Sequence, residues 1–289
     1  MANSIALSKV YTNLLDEVYQ QSSLTAVLES DATLSRQGAN ANEIVIPKLS
    51  MDGLGDYDRN SGYTNGDVDL TWETVQFNYE RGRMFQVDNM DNEETQNIAF
   101  GRLAGEFIRT KVVPELDAFR FSSYASATGV GLATGTLATG VDVINALRTA
   151  TSEMDEAEVP MEDRHLFITP TLLGLVEDLD TTKSKEVLSR FASITKVPQT
   201  RFYSAIELLD GKSVGEEKGG YKKADGGVEL NFEIIHKPAT LQFTKHAVPK
   251  IISPEMNQDA DAWKYGYRNY GLCDVYENKT AGIYVHKKA

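Results

Sequence analysis

The sequence is poor in cysteine, with only Cys273 among 289 residues. A disulfide within the chain is therefore impossible, and a reducing compartment or indifference to redox conditions is the simpler expectation. Long apolar runs are also missing, since no stretch approaches the about 20 residues that a membrane-spanning helix needs. The first residues have neither the basic start nor the apolar core of a signal peptide. We therefore expect no membrane span and no export signal.

Basic residues are also scarce. The chain carries 29 Lys and Arg against 42 Asp and Glu, a formal net charge of -13. Surfaces that bind nucleic acid usually carry excess Lys and Arg, because neutralising phosphates releases counterions. The only basic run is the short tail from His286 to Lys288, which is expected to be a solvent-exposed chain end. We expect no tight binding of DNA by the free chain.

Motifs of catalysis and cofactor binding are missing as well. There is no HExxH, GxSxG or Walker motif, and the four histidines are not spaced as metal ligands. Gly129, Gly131 and Gly135 form GxGxxxG without a preceding strand, which is not a dinucleotide fingerprint. Ser193 and Lys196 match SxxK, but the partner motifs SDN and KTG are missing. We expect neither an enzyme nor a cofactor.

One acidic segment has the spacing of a calcium loop. Four of its residues fall at positions 1, 3, 5 and 12 of such a loop, but the glycine is one place late and no helices flank it. A solvated hairpin tip explains the same composition, so we expect no metal site. The candidates, if a cation does bind, are Asp56, Asp58, Asn60 and Asp67.

Hydrophobic periodicity predicts a helix and then a long hairpin. Residues 5–30 repeat apolar side chains at helical spacing, in a stripe too narrow to form its own core. Residues 43–88 alternate with period two around a Gly-, Asp- and Asn-rich tip, with a phase slip near Glu73 that indicates a bulge. Arms of about 15 residues would reach about 50 Å. Because a hairpin of that length cannot be covered by its own chain, we predict contacts with a neighbouring molecule through Leu7, Leu14, Trp72, Phe77 and Tyr79.

The rest of the chain predicts helices followed by strands. Residues 91–124 form the clearest helix, capped by Asp91 and kinked at Pro114. A Gly-rich connection, 125–141, repeats Ala-Thr-Gly three times. A helix at 141–157, a strand at 165–169 and a helix from Pro170 indicate a compact α/β unit. The last third alternates as strands, and 210–227 is predicted to be an exposed loop.

This order of elements resembles the major capsid proteins of tailed bacteriophages, which have the Hong Kong 97-type fold. The resemblance covers nearly the whole chain. It rests most on three stretches, IVIPKLSMDGLGDYDRNSGYTNGDVDLTWETVQFNYERGRMFQVDNMDNEETQ, GRLAGEFIRTKVVPELDAFRFSSYA and YGYRNYGLCDVYENKTAGIYVHK. It implies an α+β fold with an N-terminal arm (1–42), an extended β-hairpin loop (43–88), a peripheral domain with the long spine helix (89–140), an axial α/β domain (141–265) and returning C-terminal strands (266–289).

The resemblance also implies a function without catalysis. The chain would assemble with copies of itself, as hexamers and pentamers, into the shell of a virion that encloses DNA without binding it specifically. Assembly would take place in the host bacterial cytoplasm, with a portal, a separate scaffolding protein and possibly a decoration protein as partners. A fused scaffolding segment is not expected, because only about 40 residues precede the hairpin. No metal or other cofactor is implied.

Two alternatives remain open at this point. An encapsulin-like nanocompartment has the same fold but encloses a cargo enzyme, and a segment built to dock cargo would favour it. A soluble metal-dependent hydrolase would need converging polar residues that the sequence does not offer. The size of the purified assembly separates a shell protein from an enzyme.

Overall fold

In the described residues the strands form four sheets, and helices connect and cover them. The computed structural model describes residues 23–30, 36–37, 42–94, 98–179 and 181–289. The strands are β1 (Arg36–Gln37), β2 (Glu43–Met51), β3 (Val68–Gln76), β4 (Tyr79–Asp88), β5 (Gly131–Thr134), β6 (Arg164–Ile168), β7 (Ser193–Lys196), β8 (Ile206–Leu209), β9 (Gly220–Lys223), β10 (Leu230–His236), β11 (Thr240–Ile252), β12 (Ala262–Val275) and β13 (Ile283–Lys287). The α-helices are α1 (Asn89–Glu94), α2 (Ile98–Phe107), α3 (Val113–Ser126), α4 (Gly140–Glu156), α5 (Pro170–Glu177) and α6 (Thr182–Leu188). No helix in these ranges is long and apolar enough to cross a membrane.

The predicted hairpin is formed by β2 and β3, with β1 on the outer edge of β2. Its register runs unbroken from Glu43 opposite Gln76 to Met51 opposite Val68. The expected bulge near Glu73 is therefore wrong, and the phase slip lies at residues 77–78 instead. There the Asn78 side chain donates to the Cys273 carbonyl (2.7 Å) and accepts from the Cys273 amide (3.1 Å), which replaces one ladder pair.

The hairpin is shorter than the alternating pattern suggests. Each strand has nine residues, which gives about 30 Å at strand rise. The rest of the pattern, β4, belongs to a second sheet in the order β11-β12-β4. Both sheets show period two because each has one covered face, so periodicity alone could not separate them.

A long helical element follows β4, in segments rather than as one regular helix. It begins at Asn89, and the Asp88 carboxylate accepts the amide of Met90 (2.9 Å), so the cap is Asp88 and not Asp91. Residues 108–112 form a π-helical turn between α2 and α3, closed by the Val113 amide on the Ile108 carbonyl. Pro114 follows it after one residue, Val113. The wide turn accommodates a residue that cannot donate a backbone hydrogen bond.

The five-stranded sheet has the order β5-β13-β10-β6-β7 and lies between helices. Helices α4 and α5 pack on one face around Phe232 and Ile234, while α3 packs on the other through Phe121 and Tyr124. The predicted helix and strand boundaries agree with α4, β6 and α5 to within one residue. The third Ala-Thr-Gly repeat supplies the cap of α4, where Thr139 forms a capping box with Asp142.

One predicted boundary crosses an element that the structure keeps whole. The division at residue 265 falls inside β12, which pairs with β4 and β11 rather than with the five-stranded sheet. β13, assigned by sequence to the returning strands, lies in the interior of the five-stranded sheet. The predicted loop 210–227 contains β9, which pairs with β8 in a short hairpin. Pairing between strands that are distant in the sequence decides which sheet each strand joins. Local sequence patterns do not contain that information.

Candidate assembly surface

The two faces of the β2–β3 ribbon differ in what covers them. Side chains alternate between faces along each strand, and directly paired residues share a face. On the inner face, Ile44, Ile46 and Val75 are buried near the base of the hairpin. They pack on side chains of β11 and β12, which are Leu241, Phe243 and Leu272. The base is therefore anchored on its own chain.

The outer face is apolar and remains largely exposed in the described part of the chain. Its pairs are Leu49 with Leu70, Met51 with Val68, and Pro47 with Trp72. Apart from Pro47, which is also exposed, these side chains are 47% to 67% exposed. Single exposed apolar residues are ordinary, but a contiguous apolar face marks an interaction surface. We call this set the outer face of the hairpin.

The tip of the hairpin, residues 52–67, combines negative charge with apolar rings. It holds four aspartates against the single arginine Arg59. Leu54 is fully exposed, and Tyr57 and Tyr63 are exposed with their rings in edge contact, 4.8 Å between centroids. The tip therefore presents carboxylates and apolar side chains together.

The candidate calcium ligands lie in this tip, where some of their carboxylates support turns. The Asp58 carboxylate accepts the Asn60 amide (2.8 Å), and this backbone hydrogen bond lowers the pKa of Asp58. The Asp67 amide donates to Asp52 (2.9 Å). The described residues contain no group of three or more His, Cys, Asp or Glu able to hold a metal ion. The structure thus uses the Asp58 carboxylate to support the turn at Asn60, and within the described residues it does not bring Asp56, Asp58, Asn60 and Asp67 together as a ligand set.

The predicted contact residues have different surroundings. Trp72 lies on the outer face and is 47% exposed. Phe77 is half-buried against Tyr270 (4.8 Å between ring centroids), with the Lys245 ammonium 4.9 Å from its ring. Tyr79 is only 3% exposed, and its hydroxyl donates to Glu115 (3.3 Å).

These surroundings correct part of the prediction. Tyr79 belongs to the interior of its own subunit, so the expectation that it contacts a neighbour is wrong. Leu7 and Leu14 fall outside the described residues. The sequence prediction missed Leu49, Met51 and Leu70, although their alternation on paired strands could have indicated one shared face.

A salt bridge also ties the middle of the hairpin to its own subunit. The Lys48 ammonium donates to Glu277 at 2.7 Å. The hydrogen bond and the negative charge of Glu277 raise the pKa of Lys48. The pKa of Glu73, opposite Ile46 and beside this pair, is raised by partial burial and then by the charge of Glu277. These contacts fix this part of the ribbon to its own subunit, while the side chains of the outer face stay exposed.

A second anchor holds residues 23–30 on α3. The fully buried Asp117 carboxylate accepts hydrogen bonds from the Ser23 hydroxyl (3.0 Å), the Leu24 amide (3.2 Å) and the Thr25 hydroxyl (2.9 Å). It also forms an ion pair with Arg201 (3.3 Å). In the sequence, the only sign of this anchor is an aspartate at a position where the helical repeat predicts an apolar residue. The chain is therefore fixed to α3 at residues 23–25.

The residues of the SxxK match do not form a catalytic group. Ser193 and Lys196 project to opposite sides of β7, and Lys196 pairs with Glu177 (3.4 Å). The Ser193 hydroxyl instead contacts His165 Nδ1 at 2.7 Å. His165 Nε2 is buried without a hydrogen-bond partner among the described residues, so no carboxylate orients this imidazole as a general base.

Neither a family model nor a curated protein matches this chain. Solved structures do match over most of its length. The virus-like particle from Pyrococcus furiosus has a TM-score of 0.59 and 11% identity over 97% of this chain and 99% of that chain. Mycobacterium phage Che8 gives 0.57 and 14%, over 91% and 90%. The capsid of cyanophage P-SCSP1u gives 0.57 and 12%, over 88% and 85%.

At these identities the likeness establishes the fold. The chain has the mixed helix and sheet fold of phage capsid structures, and the predicted fold class is confirmed. The finer division into arm, peripheral and axial domains stays a prediction.

Proposed function

We propose that this chain is a major capsid protein that self-assembles into the icosahedral or prolate shell enclosing the double-stranded DNA of a tailed bacteriophage. The observation that carries this proposal is the uncovered outer face of the hairpin, on a fold shared with phage capsids. A surface of this kind gains from contact with another subunit. The role is structural rather than enzymatic.

The energetics of the hairpin support association. The largest apolar patch on an ordinary monomer covers about 300–600 Å² and is often functional, so a patch of about 400 Å² is large enough to be an interaction surface. Burying such a patch contributes about 10 kcal/mol at about 25 cal/mol per Å², before the cost of lost rotational and translational freedom. Each subunit in a closed shell would bury its own hairpin on one neighbour and cover the hairpin of another. Many such contacts stabilise the shell without any strong single bond.

The proposed partners follow from the shell role. Copies of the chain would form hexamers and pentamers, with a portal and a separate scaffolding protein completing the particle. A decoration protein is a further candidate partner. The net charge of -13 suits a container that holds DNA by enclosure rather than by contacts with phosphates. The proposed location is the virion, after assembly in the host cytoplasm.

An encapsulin-like nanocompartment is the second candidate. The likeness to a virus-like particle over 97% of this chain supports a shell, and it does not specify the contents. A compartment would contain a cargo protein, whereas a phage shell would contain nuclease-protected DNA. The contents of particles from the native source therefore separate the two.

Electron microscopy of the purified chain tests the proposal, together with light scattering on a sizing column. We expect closed particles of megadalton mass or ring-shaped capsomers. A catalytic protein would run as a monomer or small oligomer. If the folded chain remains a monomer over a wide range of concentration and salt, and also with scaffolding protein added, the proposed function is wrong.

A further inference from the structure

The tip of the hairpin, residues 52–67, contains the only Asn-Gly sequence of the chain, Asn65 followed by Gly66. Asparagine is among the thermolabile residues, because the backbone nitrogen of the next residue can attack its side-chain carbonyl carbon. Glycine in that next position leaves the attack unhindered, since it has no Cβ. The local structure then decides whether this pair reacts in the folded chain.

Neither reacting group of this pair is held by a hydrogen bond. Asn65 and Gly66 are both exposed and lie outside the helices and strands. Within the described part of the chain, the Asn65 side chain and the Gly66 amide have no hydrogen-bond partner. The nearby Asp52 carboxylate accepts the amide of the following residue, Asp67, instead (2.9 Å). The Gly66 nitrogen is therefore free to approach the Asn65 side chain.

Asn60, in the same tip, has different surroundings. It is also exposed, but it lies inside a tight turn that the Gly62 amide closes on the Asp58 carbonyl (2.7 Å). The Asn60 amide donates to the Asp58 carboxylate (2.8 Å), and the Ser61 hydroxyl and amide also interact with this carboxylate. The residue that would have to attack Asn60 is thus held in the turn and carries a side chain. Two exposed asparagines of one loop should therefore differ in reactivity.

We propose that Asn65 of the unassembled subunit converts spontaneously to aspartate and isoaspartate, so that a free subunit loses its native tip with age. The Gly66 nitrogen forms a bond to Asn65 Cγ and gives up its proton, and the side-chain nitrogen leaves as ammonia. Water then opens the cyclic imide at either carbonyl. Overall water is consumed and ammonia is released, with no oxidant or reductant. The reaction needs no partner, so this inference does not depend on the proposed function.

Conversion changes the tip at the point where its two arms meet. The Asp52 amide donates to the Asp67 carbonyl (3.2 Å), and the Asp67 amide donates to the Asp52 carboxylate (2.9 Å). A Cβ on Gly66 would lie 3.9 Å from Asp52 Oδ2, so the new carboxylate at residue 65 adjoins an existing one, and like charges repel. Isoaspartate also lengthens the main chain by a methylene directly before Gly66. Both products should therefore weaken the closure of the tip.

Incubation of the folded, unassembled subunit, beside the same chain unfolded in guanidinium chloride, tests the proposal. Chymotryptic cleavage after Tyr63 places Asn60 and Asn65 on separate peptides, and mass spectrometry measures the conversion of each. In the folded subunit we expect Asn65 to convert at least about tenfold faster than Asn60, a barrier difference of about 1.4 kcal/mol. The rate at Asn65 should rise from pH 6 to pH 8, because the Gly66 nitrogen must lose its proton, and should be close to the rate in the unfolded chain.

Gly66→Ala tests the role of the attacking residue. Its Cβ would lie 3.6 Å from Asp52 Cβ, an ordinary contact, so alanine fits the native backbone. We expect this variant to slow the conversion of Asn65 by at least about tenfold, because the methyl group hinders the attack. Gly53→Ala is the matched control, since it adds the same methyl group to the tip in open space. It should leave the rate at Asn65 unchanged.

Circular dichroism before incubation establishes that each variant is folded, since both glycines are exposed. If Asn65 persists in the folded subunit under conditions that convert it in the unfolded chain, the fold restrains the pair and the inference is wrong. Equal rates at Asn60 and Asn65 in the folded subunit would also overturn it, as would a Gly66→Ala variant that converts as fast as the unaltered chain. Each of these results leaves the proposed function intact.

Discussion

Asp117 and Glu233 are both fully buried carboxyl groups, and their surroundings differ in the number of donors. Asp117 receives the donors of residues 23–25 and the charge of Arg201. Glu233 lies on the central strand β10, and neither of its oxygens has a partner among the described residues. Burial raises the pKa of Glu233 well above its ordinary value of 4.5. Glu233 is therefore protonated in the folded subunit where an exposed glutamate is ionised.

The raised pKa of Glu233 makes the stability of the subunit depend on pH. Below the ordinary value the residue is protonated in both the folded and the unfolded chain, so it contributes no pH dependence. As the pH rises above 4.5, the unfolded chain gains by ionising, and the free energy of unfolding falls until the folded pKa is reached. Glu233→Leu should abolish this fall and raise the free energy of unfolding at pH 8 by about 1–3 kcal/mol.

Urea unfolding of unassembled subunits at pH 5 and pH 8 measures this effect. Glu255→Leu, at an exposed position, is the control and should leave the pH dependence unchanged. If the free energy of unfolding of Glu233→Leu changes with pH as it does in the unaltered chain, a group other than Glu233 causes the pH dependence.

At the scale of elements, the hairpin packs its inner face on its own subunit, and we propose that its outer face contacts another subunit. Ile44, Ile46 and Val75 fix the inner face, while Leu49, Leu70 and Trp72 stay exposed on the outer face. Leu70→Asp and Thr71→Asp place the same charge on adjacent residues that face opposite ways. Only the first would bury an unpaired charge in the proposed contact between subunits.

We expect Leu70→Asp to prevent particle formation while leaving the melting temperature of the unassembled subunit within about 3 °C, because Leu70 is exposed. Thr71→Asp should assemble. Sedimentation velocity measures the assembled fraction. Equal assembly of the two variants would mean that the outer face is not a contact.

The whole particle is expected to be held without covalent bonds between subunits. Some proteins of the resembled family join a lysine of the extended loop to a neighbouring asparagine, which requires a neutral amine. No lysine occurs between Lys48 and Lys111. Lys48 lies in the middle of β2, away from the hairpin tip, in a salt bridge with Glu277 that raises its pKa, and it stays protonated. Arginine cannot replace it, because guanidinium does not lose its proton.

Mature particles boiled in denaturing detergent should therefore give a single band at the 32.0 kDa of the chain. Buried apolar contacts are disrupted by detergent and heat, whereas isopeptide bonds survive both. A ladder of covalent pentamers and hexamers would contradict this expectation. Particles treated with a chemical cross-linker are the positive control, because they should give such a ladder.

Local patterns in the sequence determined much of the fold. Apolar spacing located α4, β6 and α5, because a helix or strand with one covered face repeats with its own period. Period two in residues 43–88 indicated that one face is covered. The absence of lysine between Lys48 and Lys111 leaves Lys48 alone in the hairpin and predicts that the hairpin forms no covalent bond to a neighbour. These properties depend on residues a few positions apart, so no knowledge of packing was needed.

Only the tertiary structure decided which strands pair and which faces stay open. Tyr79 and Trp72 lie on the same alternating pattern, yet contact with α3 buries the first and nothing in the described chain covers the second to the same extent. A cleft lined by β4, α2 and the β8–β9 hairpin joins residues as distant as Arg83 and Asn269, and the hydrogen bonds of residues 23–25 to Asp117 span about 90 positions. Burial and charge compensation depend on which distant segments meet, and the sequence order of a single chain does not contain that information.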